Sequence, residues 1–491
     1  MPEESPLKRI AKGALIVTIG LFFTKLLGYI IRMFSARLGP ENYGVISLGL
    51  AIFGILTTVC ALGMESGLFG LSSTSKKEEK ISIFQSATSI TLIASILAGF
   101  LLFILSDYIA ITWFNNENWG IMLKILAVIL PFNVTKTIFQ VLMRTFELVK
   151  YDIYSRIIEN LSRTIIIITL FFIGLNVIGV TLAYLISIII TFLFLMIIIQ
   201  KKICKLIDSN TKIINKELIV YSVPLLFNNF IIQLMSWIDT IMLGLLKNSS
   251  DVGLYNTAIP TAGLISTNTR SIMTIFLPVI GSLYISNQIE KLKEVFKSTI
   301  KWTLIINSII FINLVIFSKE VLSIMFGEVY SVASSSLIIL SSFFLFSSLS
   351  DGPRDILLMF KETKKIFRIT LIGLIENIIL SYILITKIGI NGAAIATGIS
   401  FLTITILFYF NAYKKINIHP FNKEIFFLFF VIIISSILGV IIKNNFVIES
   451  IYGLIIGGLI TTSIYFLLLI ILRFIKINEI KSLYQLIKIK N

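Results

Sequence analysis

Residues 221–278 read YSVPLLFNNFIIQLMSWIDTIMLGLLKNSSDVGLYNTAIPTAGLISTNTRSIMTIFLP. Two long apolar runs flank a short polar loop at 247–251, so the stretch reads as a pair of helices. Along the first run Asn229, Gln233, Ser236 and Thr240 recur at spacings of four, three and four, which stacks them on one side of a helix. Asn228 and Asp239 border that stripe. The second run repeats the pattern with Asn256, Pro260, Gly263, Thr267, Arg270, Ser271 and Thr274. Amides, hydroxyls and a guanidinium on a membrane helix belong toward the bundle interior or water, away from lipid tails. The expectation is a polar cavity inside a membrane bundle, and a cavity of that kind implies transport.

The rest of the chain supplies the bundle. Of its 491 residues 56% are hydrophobic, and apolar runs of about 18 or more residues recur throughout, each long enough to cross roughly 30 Å of hydrocarbon. The fold class expected is an all-α polytopic membrane protein, since a membrane β-barrel would show alternating segments instead. Fourteen helices are predicted, at about 13–36, 43–71, 82–106, 120–143, 156–174, 178–199, 218–246, 253–284, 300–318, 331–350, 368–386, 390–410, 424–443 and 451–473. The N-terminal run carries Lys8, Arg9 and Lys12 but no small-residue cleavage site, and reads as a retained first helix.

A net charge of +16 would suggest nucleic acid in a soluble protein; here it follows from basic residues collecting in cytoplasmic loops. With a cytoplasmic N-terminus, the outer loops hold only Arg37, Lys247, Lys319, Lys387 and Lys443. Lys25, Arg32, Lys124, Lys136, Arg163 and Arg270 lie within helices, and all other Lys and Arg fall on the inner side. Both termini are therefore expected in the cytoplasm of a plasma (inner) membrane. Cys60 and Cys204 suggest no disulfide framework, and the single His419, in a basic loop, suggests no metal site. No nucleotide-binding motif is present, so ATP hydrolysis within the chain is not expected, nor is any cofactor.

The chain also repeats itself. GLNVIGVTLAYLIS at 174–187 resembles KIGINGAAIATGIS at 387–400, FELVKYDIY from Phe146 resembles FKETKKIFR from Phe360, and NYGVISLG from Asn42 resembles DVGLYNTA from Asp251. Residues 1–205 and 216–415 are each expected to form a six-helix lobe. An even helix count makes the two repeats parallel. Residues 424–473 add helices 13 and 14, facing lipid over much of their surface, and 474–491 form a cytoplasmic tail.

Charges at depth mark the candidate site. Lys25 and Arg32 are seven residues apart, on one face of the first helix. Each intramembrane cation costs roughly 2.5–3.5 kcal/mol on insertion scales, so Lys25, Arg32 and Arg270 need water or partners. For Arg32, snorkelling to the outer surface is the plain alternative. Glu159 and Arg163, four apart, are expected to form a local ion pair. Asp239 has three roles open to it: pairing with Arg32, binding a coupling cation, or exchanging a proton. Glu376 aligns with Arg163 across the repeat. Lys136 is assigned to the cavity.

Three stretches carry a family resemblance: SARLGPENYGVISLGLAIFGIL at 35–56, VPLLFNNFIIQLMSWIDTIMLGLL at 223–246 running on to DVGLYNTAIP at 251–260, and FLPVIGSLY at 276–284. They resemble the helix 1–2 and helix 7–8 signatures of the multidrug/oligosaccharidyl-lipid/polysaccharide (MOP) exporter superfamily, and within it the polysaccharide-biosynthesis branch. The resemblance implies a fold like that of multidrug (MATE) exporters and lipid II flippases, with two lobes around a cationic cavity that alternates its access. It implies a flippase carrying a lipid-linked oligosaccharide, on a prenyl phosphate or pyrophosphate, from the cytoplasmic to the outer leaflet for cell-surface glycan assembly. The cationic lining would map onto Lys25, Arg32 and Arg270, the polar lining onto Asn229, Gln233, Ser236, Thr240, Asn256 and Thr267, and cation coupling by H+ or Na+ onto Asp239 or Glu376. In lipid II flippases the last two helices form a groove for the prenyl tail, which helices 13 and 14 would supply here. A multidrug/cation antiporter of the same fold is the alternative; it would favour buried acids over buried cations. A membrane-embedded glycan polymerase or ligase would need catalytic side chains in large outer loops. The longest, near 107–119 and 319–330, offer acids but no His or Arg. The expected partners are the glycan lipid, membrane lipids and a coupling cation.

Overall fold

A computed structural model describes residues 6–72, 75–114, 119–174, 176–203, 215–417, 423–444, 450–472 and 474. Among these, every regular element is helical. Contacts divide the chain into two compact units, Met1–Asn256 and Thr257–Asn491. The first holds α1 (Pro6–Ala36), α2 (Pro40–Cys60), α3 (Met64–Ser72), α4 (Lys77–Phe114), α5 (Trp119–Thr145), α6 (Val149–Gly174), α7 (Val177–Lys202), α8 (Lys216–Leu246) and the start of α9 (Ser249–Ala262). The second holds α10 (Thr267–Ile285), α11 (Ile289–Ile316), α12 (Ser318–Phe326), a 3-10 turn (Glu328–Ala333), α13 (Ser334–Ser347), α14 (Asp351–Met359), α15 (Thr363–Ile416), α16 (Lys423–Lys443) and α17 (Ile451–Ile471).

Eleven of these helical stretches are long and apolar enough to cross a membrane. The structure redraws several predicted spans. The second, at 43–71, breaks at 61–63, where Leu62 and Gly63 take positive φ, and resumes as α3. The eighth, at 253–284, breaks at 263–266 between α9 and α10. The tenth, at 331–350, covers the end of a 3-10 turn and α13, and the short helix α14 follows it. The eleventh and twelfth, at 368–386 and 390–410, are the two arms of α15, which meet at the non-helical residues Ile388 and Gly389. Part of the outer loop at 319–330 is helix α12.

Lipid tails are as apolar as leucine, so packing between membrane helices relies on close approach and on internal polar contacts. Both are visible. In the first unit Met64, Leu68, Phe84, Ile138, Phe139, Leu142, Leu195 and Ile199 form a buried core shared by α3, α4, α5 and α7. Phe139 stacks on Phe192 with centroids 5.4 Å apart. In the second unit α16 and α17 present Phe426, Phe430, Ile433, Ile437, Ile455 and Leu459 outward, as lipid-facing helices should. Their inner edge is pinned to α11: Asn313 donates to Thr462 at 3.1 Å and accepts from Thr461 at 2.9 Å.

Candidate functional site

The stripe on α8 meets α2, α3 and α9 inside the first unit. Asn229 donates to the Ser66 hydroxyl at 3.3 Å. Gln233, half-buried, lies against Gly54 on α2. Ser236 is exposed and donates to the Ile232 carbonyl at 3.0 Å. Thr240 and Asn256 are buried together, with the Asn256 amide donating to Thr240 Oγ1 at 3.1 Å and to the Val252 carbonyl at 3.0 Å. Tyr255 donates its hydroxyl to the buried Asp239 at 3.2 Å. The stripe thus turns inward, and one end of it is closed into a polar knot.

Arg32 reaches that knot. Its Nη1 donates to the Tyr43 hydroxyl at 3.5 Å, and Tyr43 in turn donates to the Asn256 backbone carbonyl at 3.4 Å. Arg32 is half-buried, and Lys25, seven residues earlier, is exposed beside Phe22 and Leu26. Just beyond Tyr43, α2 and α9 touch backbone to backbone. A methyl on Gly44 would overlap the Ser249 carbonyl, and one on Gly253 would overlap the Pro40 carbonyl. Gly44 and Gly253 stand at matching positions of the similar stretches that begin at Asn42 and Asp251.

A second polar cluster lies wholly among α5, α6 and α7. Lys136 and Arg163 both bind Glu159 at 2.7 Å. The Arg163 guanidinium also donates to Ser187 at 3.1 Å and covers the Tyr184 ring at 3.8 Å from its centroid. Sequence spacing identifies the Glu159 and Arg163 pair, and the structure contains it. Lys136 enters the same cluster, where 5% of its surface is exposed, so its position inside α5 to α7 replaces the cavity placement. The overlooked signal is the spacing Lys136, Gln140, Arg144 along α5. It faces Asp152, Ser155 and Glu159 on α6: Gln140 donates to Ser155 at 3.0 Å, and Asp152 sits 3.6 Å from Arg144 and 3.0 Å from Arg156.

In the second unit Glu376 accepts from Thr403 at 3.1 Å through one oxygen, while the other is buried without a hydrogen-bond partner. One residue on, Asn377 donates to Thr397 at 3.4 Å and accepts from Ser381 at 3.3 Å. The backbone at Thr267 and Arg270 belongs to α10; their side chains, like His419, Cys204 and the 475–491 tail, lie outside the described residues. Among the described residues no cluster of His, Cys, Asp or Glu could hold a metal ion.

Comparison with known proteins assigns the architecture. Residues 10–284, more than half of the chain, match the profile of the polysaccharide biosynthesis protein family. The chain belongs to that family. Residues 224–383 also match the MatE family. This polysaccharide biosynthesis protein is 28% identical over 172 residues to a probable low-salt glycan biosynthesis flippase of Haloferax volcanii; the match spans 35% of this chain and 36% of the relative. It is 23% identical over 499 residues to an uncharacterized membrane protein of Methanocaldococcus jannaschii, covering 97% of this chain and 98% of that one. Its fold matches the inward closed conformation of the lipid II flippase MurJ with a TM-score of 0.72 at 18% identity, over 92% of this chain and 98% of that one. The protein is therefore a multi-pass, all-helical membrane protein of the MOP superfamily.

Proposed function

We propose that this protein is a flippase that moves a prenyl-phosphate or prenyl-pyrophosphate oligosaccharide from the cytoplasmic to the outer leaflet of the plasma membrane, for cell-surface glycan assembly. It is a transporter and not a catalyst. The observation that carries the reading is the placement of Arg32, about one turn from the end of α1, against the Tyr43 hydroxyl, which is itself bonded to the buried pair of Asn256 and Thr240. An anionic phosphate needs such a cation, sugars need such amides and hydroxyls, and the family is one of polysaccharide biosynthesis. The sequence proposes Lys25 and Arg270 for the same role. Asn229, Gln233, Ser236 and Thr267 extend the polar lining, and α16 and α17 receive the prenyl tail. Fourteen crossings are proposed from the apolar runs, two six-helix lobes from the internal repeat, and cytoplasmic termini from the excess of basic residues on one side.

Two negative charges moving outward, down an inside-negative potential of about 100 mV, gain roughly 4–5 kcal/mol, so the membrane potential supplies part of the drive. A coupling cation at Asp239 or Glu376 supplies the rest. The buried, unpartnered oxygen of Glu376 supports this, because such a carboxylate requires a proton or a cation beside it. The MatE match at 224–383 favours one other reading, drug export against a cation.

Reconstitution decides between them. In liposomes, a fluorescent prenyl-pyrophosphate oligosaccharide should exchange leaflets, measured by dithionite quenching, and faster under a potential of the right sign. A cationic dye such as ethidium should not move. Ethidium transport with a static glycan would replace the flippase reading by the antiporter.

A further inference from the structure

The ion cluster among α5, α6 and α7 takes no part in the site above, yet it is among the most completely buried groups of charges in the first unit. One carboxylate, Glu159, is shared by two cations at equal distances of 2.7 Å. The cluster therefore holds one positive charge beyond neutrality within helices that span the membrane, where ionisable groups are rare and mark proton or ion pathways. Arginine keeps its proton, and a carboxylate with two cationic donors stays ionised, so Lys136 is the one member free to change charge. A polar file connects it to the turn between α5 and α6: Gln140 with Ser155, Ser155 donating to the Asp152 carbonyl at 2.7 Å, then Asp152 between Arg144 and Arg156. The distribution of basic residues makes that turn cytoplasmic. In the other direction the Arg163 guanidinium lies on Tyr184, which is within electrostatic range of Arg32.

We propose that Lys136, in place of Asp239 or Glu376, is the proton-exchanging site that couples glycan export to proton entry; this rests on the flippase reading above. In one half-cycle Lys136 Nζ releases a proton to cytoplasmic water along the Gln140 and Ser155 file and keeps its electron pair. The neutral amine stays hydrogen-bonded to Glu159, whose charge is then balanced by Arg163 alone. In the other half-cycle Nζ takes a proton from water of the outer side. One proton enters for each return of the carrier. The charge of the cluster acts on Arg32 through Tyr184, which links proton binding to the grip on phosphate. The charged groups nearest Lys136 are Glu159, Arg163 and Arg156, all from α6. Of the other helices packed against α5, α7 brings Tyr184 and, in its last turn, Lys201 and Lys202, and α3 brings Glu65. α4 brings Asp107, which holds Lys124 at 2.8 Å, and the residues Lys77 to Lys80 at its start; α2 brings Glu41 and Tyr43 at its start.

Lys136→Arg separates this role from a structural one, because arginine keeps the charge and the ion pair but does not release a proton. Full-length protein in liposomes, with potassium and valinomycin clamping the potential, is given the fluorescent prenyl-pyrophosphate oligosaccharide and a one-unit pH gradient. The wild type should flip about tenfold faster with the gradient than without it, one pH unit being a tenfold ratio of protons. Lys136→Arg should melt at the wild-type temperature and flip at a rate that ignores the gradient. A wild-type gradient response in Lys136→Arg overturns the proposal, as does a wild type that flips the glycan with no gradient response. If the wild type moves no glycan, the flippase reading falls, and infrared titration still decides the Lys136 site. The carboxylate band removed by Glu159→Gln should shift with pH in wild type and stay fixed in Lys136→Arg. A band fixed in both overturns the proton site.

Discussion

The α5–α6 hairpin of the first unit and the α14–α15 hairpin of the second share one backbone and carry opposite chemistry. In each, the helix ends on a phenylalanine, Phe146 or Phe360, followed by a left-handed residue, Glu147 at φ 60 or Lys361 at φ 57. The closing bonds match as well: Leu148 N donates to the Met143 carbonyl at 2.8 Å, and Glu362 N to the Leu357 carbonyl at 2.9 Å. This is the helix-ending arrangement usually made with glycine. Beyond the turn the two diverge. Where the first hairpin has Arg163 inside a paired ion cluster, the second has Glu376, bonded by Thr403 and flanked by amides and hydroxyls. The backbone of a duplicated unit is fixed by how its helices pack, whereas the charge it encloses is free to change if each new ion finds a partner. The first hairpin pairs its ions internally. In the second, one Glu376 carboxylate oxygen has no hydrogen-bond partner among the described residues.

Breaking the pairing in the first hairpin should have the largest effect. Glu159→Gln strands Lys136 and Arg163 without a counter-charge, and should cost about 3–5 kcal/mol of stability, seen as a large fall in melting temperature in detergent. A loss below that of an ordinary surface substitution would mean the cluster is hydrated and the contrast false.

The sequence discloses this contrast only in part. Glu159 and Arg163 are legible because helical spacing alone brings them together. Lys136 is not, because its partner stands 23 residues away on another helix and periodicity names a face without naming what it meets. The same limit governs the α8 stripe: its one-sidedness is plain, but Ser66, the partner of Asn229, lies 163 residues away. The helices themselves were legible from apolar length and basic loops. The breaks at 61–63 and 263–266 were not, because neighbouring helices stabilise an interrupted membrane helix without local warning in the chain.

The shared backbone can be tested by the same change in both hairpins. Glu147→Gly and Lys361→Gly should each raise stability by about 1 kcal/mol, since only glycine takes the left-handed turn without steric cost; a gain in one and a loss in the other would show that the turns are not equivalent. Glu376→Gln should leave stability within about 0.5 kcal/mol of wild type, because an amide still accepts from Thr403. A drop as large as that of Glu159→Gln would place a hidden ion pair in the second unit.

The smallest effect lies at the second turn. Hydrogen bonds from Lys415 at 2.5 Å and Lys365 at 3.0 Å hold the Glu362 carboxyl below its ordinary range. A carboxyl lowered in the folded state stabilises above its unfolded value, and that gain is lost as pH falls through the folded value. Wild type should therefore melt slightly above Glu362→Gln at neutral pH, and the two should converge in acid. A gap that persists in acid would assign the difference to packing and remove the ion pairs from the comparison.

The account rests on Arg32 holding the anionic head of a lipid-linked glycan. The direct measurement is the initial flipping rate of the fluorescent prenyl-pyrophosphate oligosaccharide by Arg32→Gln against wild type, at equal protein and equal melting temperature. Loss of a charged hydrogen bond worth about 1.5–3 kcal/mol predicts a fall of roughly ten- to a hundred-fold. An unchanged rate would contradict it.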